Sequence, residues 1–254
     1  MLAEKFKEFI DSLQIDSIEE ETKRVKEITK RLNKSFWELE NETEENSEIV
    51  GSLGRDTAIK AFSDVDILFI LPKELKKQYD EHEGNGQSNL LQKVKSEIKK
   101  RYPKTIVRGD GQVVTVSFES INKVVEVCPC FERTDGAYDY PDSNHGGSWK
   151  KTDPMPEIEE SINTIKNTDS NYKYVCNLIR SWKNNQGFIF GGLLIDTLVY
   201  NFFNDNDDYK SATFQDYLKL LKDLFYYLNK CNKEQKYWHA LGSNQRYIIK
   251  VEHL

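Results

Sequence analysis

Two aspartates separated by one residue, Asp64-Val65-Asp66, stand immediately before the uninterrupted apolar run Ile67 to Leu71. The run is short and apolar enough for a buried β-strand. Alternate residues of a strand share a face, so this spacing turns both carboxylates to one side while Val65 enters the core. Like charges held together at the mouth of a buried strand repel, and a hard divalent cation between them relieves that cost. Mg²⁺ takes one or two carboxylates and completes its shell with water and phosphate oxygens, which is the ligand set of phosphoryl transfer. Two solvated loop carboxylates would give the same Asp-x-Asp spelling, so the neighbourhood has to decide. Ser52 lies twelve residues before Asp64 and follows Gly51; a Gly-Ser turn can offer backbone N–H groups and a hydroxyl to a phosphate. Glu126, between Val125 and Val127, supplies a third carboxylate inside a β-branched stretch. Ordinary alternation onto a solvated face would also place a glutamate there.

The elements that must position these groups follow from periodicity. Phe6, Phe9, Ile10 and Leu13, then Val25, Ile28, Leu32 and Phe36, recur at intervals of three and four among Lys and Glu. That is an amphipathic helix along the outside of a domain, broken around Gln14 to Ser17. The polar stretch Tyr79 to Ser88 reads as a surface loop leading into a helix over Leu90 to Arg101. TIVRGDGQVVTVSFE and KVVEVCPCFE read as strands joined by Ser120-Ile121-Asn122, with Asp110-Gly111 marking an earlier turn. Residues 134–157 hold Gly136, Pro141, Gly146, Gly147, Pro154 and Pro156, which predicts a loop and a domain boundary. Beyond it, apolar residues repeat at helical spacing. The expectation is an α+β protein: a mixed sheet with helices and a long N-terminal helical region over 1–145, joined to a helical domain over 146–254.

Composition narrows the function classes. The chain has 254 residues, with 36 Lys+Arg against 42 Asp+Glu and a net charge of -6. A protein built chiefly to grip a nucleic-acid backbone needs clustered cations, so no strong nucleic-acid binding is expected. Hydrophobic residues at 38% and aromatics at 12% suffice for a packed core and exclude disorder. No apolar run approaches the roughly 20 residues of a membrane span, and MLAEKFKEFIDSL lacks a signal-peptide core. A cytoplasmic protein with no membrane partner is expected. Cys128, Cys130, Cys176 and Cys231 are too scattered for a disulfide framework. Cys128-Pro129-Cys130 lacks the second ligand pair that zinc requires, so all four read as small reduced thiols.

The Gly-Ser turn, the Asp-Val-Asp strand and the acidic VEVCPCF strand together resemble the DNA polymerase beta-like nucleotidyltransferase superfamily. Within it, TAIKAFSDVDILFIL, PDSNHGGSWKKTDP, NLIRSWKNNQGF and HALGSNQRY resemble the bacterial cGAS/DncV-like nucleotidyltransferases (CD-NTases) of CBASS anti-phage operons, over nearly the whole chain. The resemblance implies that Asp64, Asp66 and Glu126 form a catalytic triad holding two Mg²⁺ or Mn²⁺ ions, although the family more often has Asp where Glu126 stands. It implies that Gly51 and Ser52 bind phosphate and that Lys183, in IRSWK, reaches the triphosphate. Asn144 and the aromatic residues of 136–149 become candidate nucleotide contacts. The C-terminal half resembles that of oligoadenylate synthetases; members of the CD-NTase family generally continue past the GSNQ stretch, so a truncated C-terminus is implied. The implied activity joins nucleoside triphosphates, ATP among them, into a cyclic di- or trinucleotide second messenger read by a separate effector protein. Two alternatives remain open here: a synthase of linear 2'-5' oligoadenylates or an RNA-end nucleotidyltransferase, and a non-enzymatic nucleotide-binding signalling module.

Overall fold

Alternation in the central strands divides a sheet into a core face and an open face. In β4 (Val113–Phe118), Val114, Val116 and Phe118 are buried and the residues between them are half-exposed. In β5 (Lys123–Glu132), Val125 and Val127 are buried while Val124, Glu126 and Cys128 are half-exposed. The computed structural model describes residues 1–60, 64–232 and 234–248. They fall into two units: Ser17–Val50 with Asp64–Asp153, and Met1–Asp16 with Gly51–Ser63 and Pro154–Leu254.

The first unit holds the seven-stranded sheet. Its path runs β1 (Ser47–Val50), β2 (Val65–Ile70), β5, β4 and β3 (Ile106–Asp110), and the far end of β5 carries β6 (Tyr138–Asp142), which pairs with β7 (Ser148–Thr152). β2 and β5 are parallel and the other neighbours antiparallel, so the sheet is mixed, as expected. Its core face is covered by α2 (Glu19–Phe36) and α5 (Gly86–Arg101), preceded by α4 (Glu74–Asp80). Val25, Ile28 and Leu32 of α2 and Leu90, Leu91, Val94 and Ile98 of α5 are buried. At about 1.5–3 kcal/mol for each buried aliphatic side chain, this layer is the main force behind the sheet's orientation. Glu97, only 2% exposed, clamps the two helices by accepting from Arg31, from Ser35 at 2.8 Å, from Lys93 at 2.9 Å and from Lys100 at 2.8 Å.

Two readings from the sequence need correction in this unit. Residues 134–157 are not a loop, because β6 and β7 form a hairpin and a helix begins at Pro154. Each strand has five residues, Pro141 interrupts the alternation, and Gly146-Gly147 supply the turn, so a period of two never becomes visible. Gly147 has φ +95°, and a Cβ there would stand 2.4 Å from Gln87 Oε1, so only glycine fits. The segment Tyr79 to Ser88 is also less open than expected: α4 runs to Asp80, and α5 begins at Gly86, where Asn85 accepts from Ser88 N–H at 2.8 Å.

The second unit is helical. It contains α1 (Leu2–Leu13), the short α3 (Gly51–Gly54), α6 (Pro154–Asn167), α7 (Asn171–Gln186), α8 (Gly192–Asp205) and α9 (Tyr217–Lys230), with a hairpin of β8 (Tyr237–His239) and β9 (Arg246–Ile248). Tyr172, Val175 and Cys176 of α7 pack with Ile195, Val199, Phe202 and Phe203 of α8 and Leu220 and Leu224 of α9. The N-terminal region is two helices, broken where the sequence places the break. Those two helices go to different units, because Ile10 of α1 buries against Leu178 and Tyr217 while α2 lies on the sheet. The units are therefore not the two continuous segments 1–145 and 146–254; the apolar stripe of α1 and the turn after β1 belong with the C-terminal helices.

One buried charge organises this unit. Asp196 of α8 is fully buried and accepts from Arg55 Nε at 2.8 Å, Thr57 Oγ1 at 2.9 Å and Arg180 at 2.6 Å. Burial pushes its carboxyl pKa up, but Arg180 and Arg55 outweigh burial and hold it below the ordinary value. Asp196→Asn takes from Arg180 its carboxylate partner and leaves Arg55 with only Glu157, 3.9 Å away, and should cost about 3–5 kcal/mol, read as a lowered urea midpoint. The sign with pH follows from the lowered pKa: this contribution is present above the unfolded-state value of about 3.9 and is lost as pH falls toward the folded one. The variant should therefore show a shallower acid limb than the parent.

Candidate active site

Register builds the site on the open face of the sheet. Asp66 of β2 is the partner of Glu126 on β5, Glu126 that of Thr115 on β4, and Thr115 that of Arg108 on β3; on the other side Asp66 meets Val50 of β1. Paired residues project to the same side, so Val50, Asp66, Glu126, Thr115 and Arg108 form one row across five strands about 4.8 Å apart. Asp64 precedes β2, and its Oδ1 accepts from Val124 N–H at 3.3 Å, which brings it beside the same stretch of β5. Glu126 is half-buried and its pKa is raised, first by burial, then by Asp66, Asp64 and Asp110. The structure thus brings together the three carboxylates proposed from sequence and adds Asp110, at the end of β3. The Asp110-Gly111 turn was visible in the sequence; its bearing on Glu126 needed the register.

The donor set suits a hard cation. Among the described residues no three His, Cys, Asp or Glu side chains stand as a ready-made metal cage. What is present is the Asp66–Glu126 pair with Asp64 beside it, and Mg²⁺ asks for only one or two carboxylates, completing its shell from water and phosphate. Cys128 lies two residues from Glu126, but burial, Asp66 and Glu126 push its thiol up to about 12, so it stays protonated. All four cysteines are free thiols, as the sequence led us to expect.

Asn144 is engaged within the hairpin turn. Its backbone N–H and its Nδ2 donate to Asp142 Oδ1 at 3.0 and 2.7 Å, and Asp142 also pairs with Lys150. Ser143 N–H donates to Gly111 O at 2.8 Å, so the turn is braced against the β3–β4 turn. Trp149 is likewise structural, donating from Nε1 to Asp80 at 2.5 Å and meeting Phe131 edge-on.

Gly51, Ser52 and Lys183 belong to the helical unit. Gly51, at φ +65°, and Ser52 open α3. The turn is closed by Arg55 N–H to Gly51 O at 3.1 Å and Thr57 N–H to Ser52 O at 2.9 Å. The Thr57 carbonyl accepts from Asn177 Nδ2 at 3.0 Å, and Thr57 Oγ1 accepts from Arg180 at 3.1 Å. Lys183 stands one turn beyond Arg180 on α7. Its Nζ donates to Phe190 O at 3.2 Å, and its pKa is lowered by burial and by Arg180. The network around Asp196 thus fixes both the Gly51-Ser52 turn and the helix that carries Lys183.

A mixed sheet with an Asp-x-Asp motif at the head of one strand, parallel to a second strand that carries a third carboxylate, is the core of the polymerase beta-like nucleotidyltransferases. Residues 1–167 match the model of the Second Messenger Oligonucleotide or Dinucleotide Synthetase domain. The chain belongs to that family, a family of nucleotidyltransferases that includes the bacterial CD-NTases. A protein of Bacillus cereus (strain VD146) described as a probable cyclic nucleotide synthase is 22% identical over 181 residues, 61% of this chain and 55% of the relative. The match thus spans little more than half of that relative's length. Among solved structures, CdnC of Escherichia coli MS115-1 in its HORMA-deltaN complex superposes with a TM-score of 0.64 at 16% identity, covering 89% of this chain and 70% of CdnC. The STING-associated CdnE c-di-GMP synthase of Capnocytophaga granulosa gives 0.65 at 15% identity, covering 91% and 74%. The CdnE cyclic dinucleotide synthase of Elizabethkingia meningoseptica gives 0.63 at 16%, covering 89% and 83%. At these identities the likeness is one of fold. No helix among the described residues is long and apolar enough to cross a membrane.

Opposed carboxylates on neighbouring strands store repulsion that a substitution can release. Asp66→Asn and Glu126→Gln should each raise the melting temperature in chelator-containing buffer, and added Mg²⁺ should narrow the gap by stabilising the parent. A lower melting temperature for both variants would mean that the two groups are held by hydrogen bonds rather than opposed.

Proposed function

We propose that the chain is a metal-dependent synthase that joins nucleoside triphosphates into a small cyclic oligonucleotide, a di- or trinucleotide, with release of pyrophosphate at each bond. The observation that carries the reading is the register of Asp66 with Glu126, with Asp64 beside them on the open face. A protein that only bound nucleotide would gain nothing from three mutually repelling carboxylates there. Asp64, Asp66 and Glu126 would hold two divalent ions, Mg²⁺ or Mn²⁺. Bound, such ions supply the positive charge that favours loss of a ribose hydroxyl proton and departure of pyrophosphate.

The chain's own groups divide the remaining work. Glu126, with its raised pKa, lies on the side of the attacking hydroxyl, while Asp64 and Asp66 serve both ions. The Ser52 hydroxyl, the Gly51 backbone and Lys183 hold triphosphate oxygens; Lys183 is well prepared for this, since a partly desolvated ammonium gains more from a phosphate than from its present carbonyl partner. Asn144, committed to Asp142, would shape the neighbourhood of a base through the hairpin it braces. ATP is proposed as one substrate, with cytoplasmic action in a CBASS-type anti-phage response through a separate effector that binds the product. The family match and the named synthase among the relatives support this reading.

With Mg²⁺ or Mn²⁺ and all four nucleoside triphosphates, pyrophosphate should accumulate. The Asp64→Asn, Asp66→Asn double variant should lose at least about 100-fold in rate while remaining folded by circular dichroism. Near-parental turnover by that folded variant would end the reading. Ser52→Ala and Lys183→Ala should act mainly on substrate binding, Lys183→Ala raising KM about 10- to 100-fold for loss of a charge-assisted contact. The final product should be small and resistant to phosphatase, because cyclisation leaves no terminal phosphate. A ladder of phosphatase-sensitive oligomers would favour linear synthesis instead.

A further inference from the structure

The acidic row does not stop at Glu126. It continues through Thr115 to Arg108, neither of which stood out in the sequence. Two strand spacings put Arg108 about 10 Å from Glu126 along the row, an interval that an extended arginine side chain largely covers. Thr115, between them, is short and β-branched, so a guanidinium can lean across it toward Glu126. Arg108 is exposed, and among the described residues its guanidinium makes no ion pair, although Asp64, Asp66, Glu126 and Asp110 gather on or beside this face. A permanent cation beside a carboxylate cluster, yet not neutralised by it, is free for an anionic ligand. Arginine suits phosphate in particular, because its planar fork gives two parallel N–H···O bonds.

The row also has a direction. At one end Asp66 meets Val50, after which the chain enters the Gly51-Ser52 turn assigned to the departing triphosphate. Arg108 closes the opposite end, beyond Glu126, the carboxylate assigned to the attacking hydroxyl. We infer that Arg108 binds the 5'-phosphates of the acceptor nucleotide, the one whose ribose hydroxyl attacks, and so selects a phosphorylated acceptor over a bare nucleoside. The inference rests on the synthase reading above and deepens it. Arg108 is a substrate-binding residue of the acceptor side, distinct from the donor contacts Ser52 and Lys183.

The test uses the full chain with Mg²⁺ and the four nucleoside triphosphates. Mass spectrometry of the linear intermediate identifies the acceptor as the nucleotide that keeps its 5'-triphosphate, and KM is then measured for acceptor and donor separately. Where both carry the same base, the acceptor is varied as nucleoside against nucleoside triphosphate. Arg108→Ala should raise the acceptor KM about 10- to 100-fold, the loss of one charge-assisted contact. It should leave donor KM and melting temperature unchanged and abolish the preference for triphosphate over nucleoside, and Arg108→Lys should restore part of it. An unchanged acceptor KM in an active enzyme, or equal rises for acceptor and donor, overturns the assignment while leaving the synthase reading intact. A parent protein that forms no product overturns the synthase reading and this assignment with it, and is seen before any variant is made.

Discussion

The register between β2 and β5 is the constraint on which the site depends. Pairing Asp66 with Glu126 sets two carboxylates side by side, at a cost of roughly 1–3 kcal/mol for partly solvated charges one strand spacing apart. The same register buries Val65 and Ile67 opposite Val125 and Val127, worth about 1.5–3 kcal/mol for each side chain. The core face outweighs the open face. A slip of one residue would relieve the repulsion but expose the whole apolar set. The acidic pair is thus imposed by packing on the other side of the sheet, and its unfavourable energy remains available to whatever cation relieves it.

A comparable arrangement operates in the helical unit, with opposite sign. There the buried charge is neutralised inside the protein: Asp196 is surrounded by Arg55, Thr57 and Arg180. The gain is less in stability than in position, since a buried ion pair offers little net advantage over a hydrophobic substitute. What it secures is geometry. Arg55 and Thr57 close the turn that begins at Gly51, Arg180 shares a helix with Lys183, and Asp196 fixes all three. Removing the network would loosen together the residues proposed to bind phosphate, although none of its members needs to touch a substrate.

These two constraints explain what the sequence revealed. Asp64-Val65-Asp66 before an apolar run, and Glu126 between valines, are local signals: a period of two names the face, and a charge on a buried strand names the exception. Gly51-Ser52 is local as well. The split of α1 from α2 at Gln14 to Ser17 was legible because the apolar stripe lapses there, but their assignment to different units was not, because nothing in the spacing of Ile10 says that its partners are Leu178 and Tyr217. The β6–β7 hairpin was hidden by Pro141 and the paired glycines. The relation of Arg108, Thr115 and Asp110 to Glu126 was invisible for a third reason: it exists only across strands, and a single sequence does not print register. Asn144 entered only as a candidate nucleotide contact through the family resemblance, and nothing in its spacing announces the hydrogen bonds it gives to Asp142.

The charge balance gives the last step. A chain of net charge -6, with Asp64, Asp66, Glu126 and Asp110 gathered on or beside one sheet face, repels a nucleoside triphosphate at long range, although physiological salt limits that repulsion to about 8 Å. On the proposed reading, affinity therefore has to be generated at contact distance, by discrete cations and by metal ions that the carboxylates would recruit. Net charge thus argues against a broad nucleic-acid grip and says nothing against nucleotide chemistry. A long polyanion needs an extended field, whereas a mononucleotide needs a few donors within one side chain's reach. On the sheet face that role falls to Arg108 at one end of a row whose centre is acidic, an arrangement that favours a short, metal-carrying anion over a long bare one.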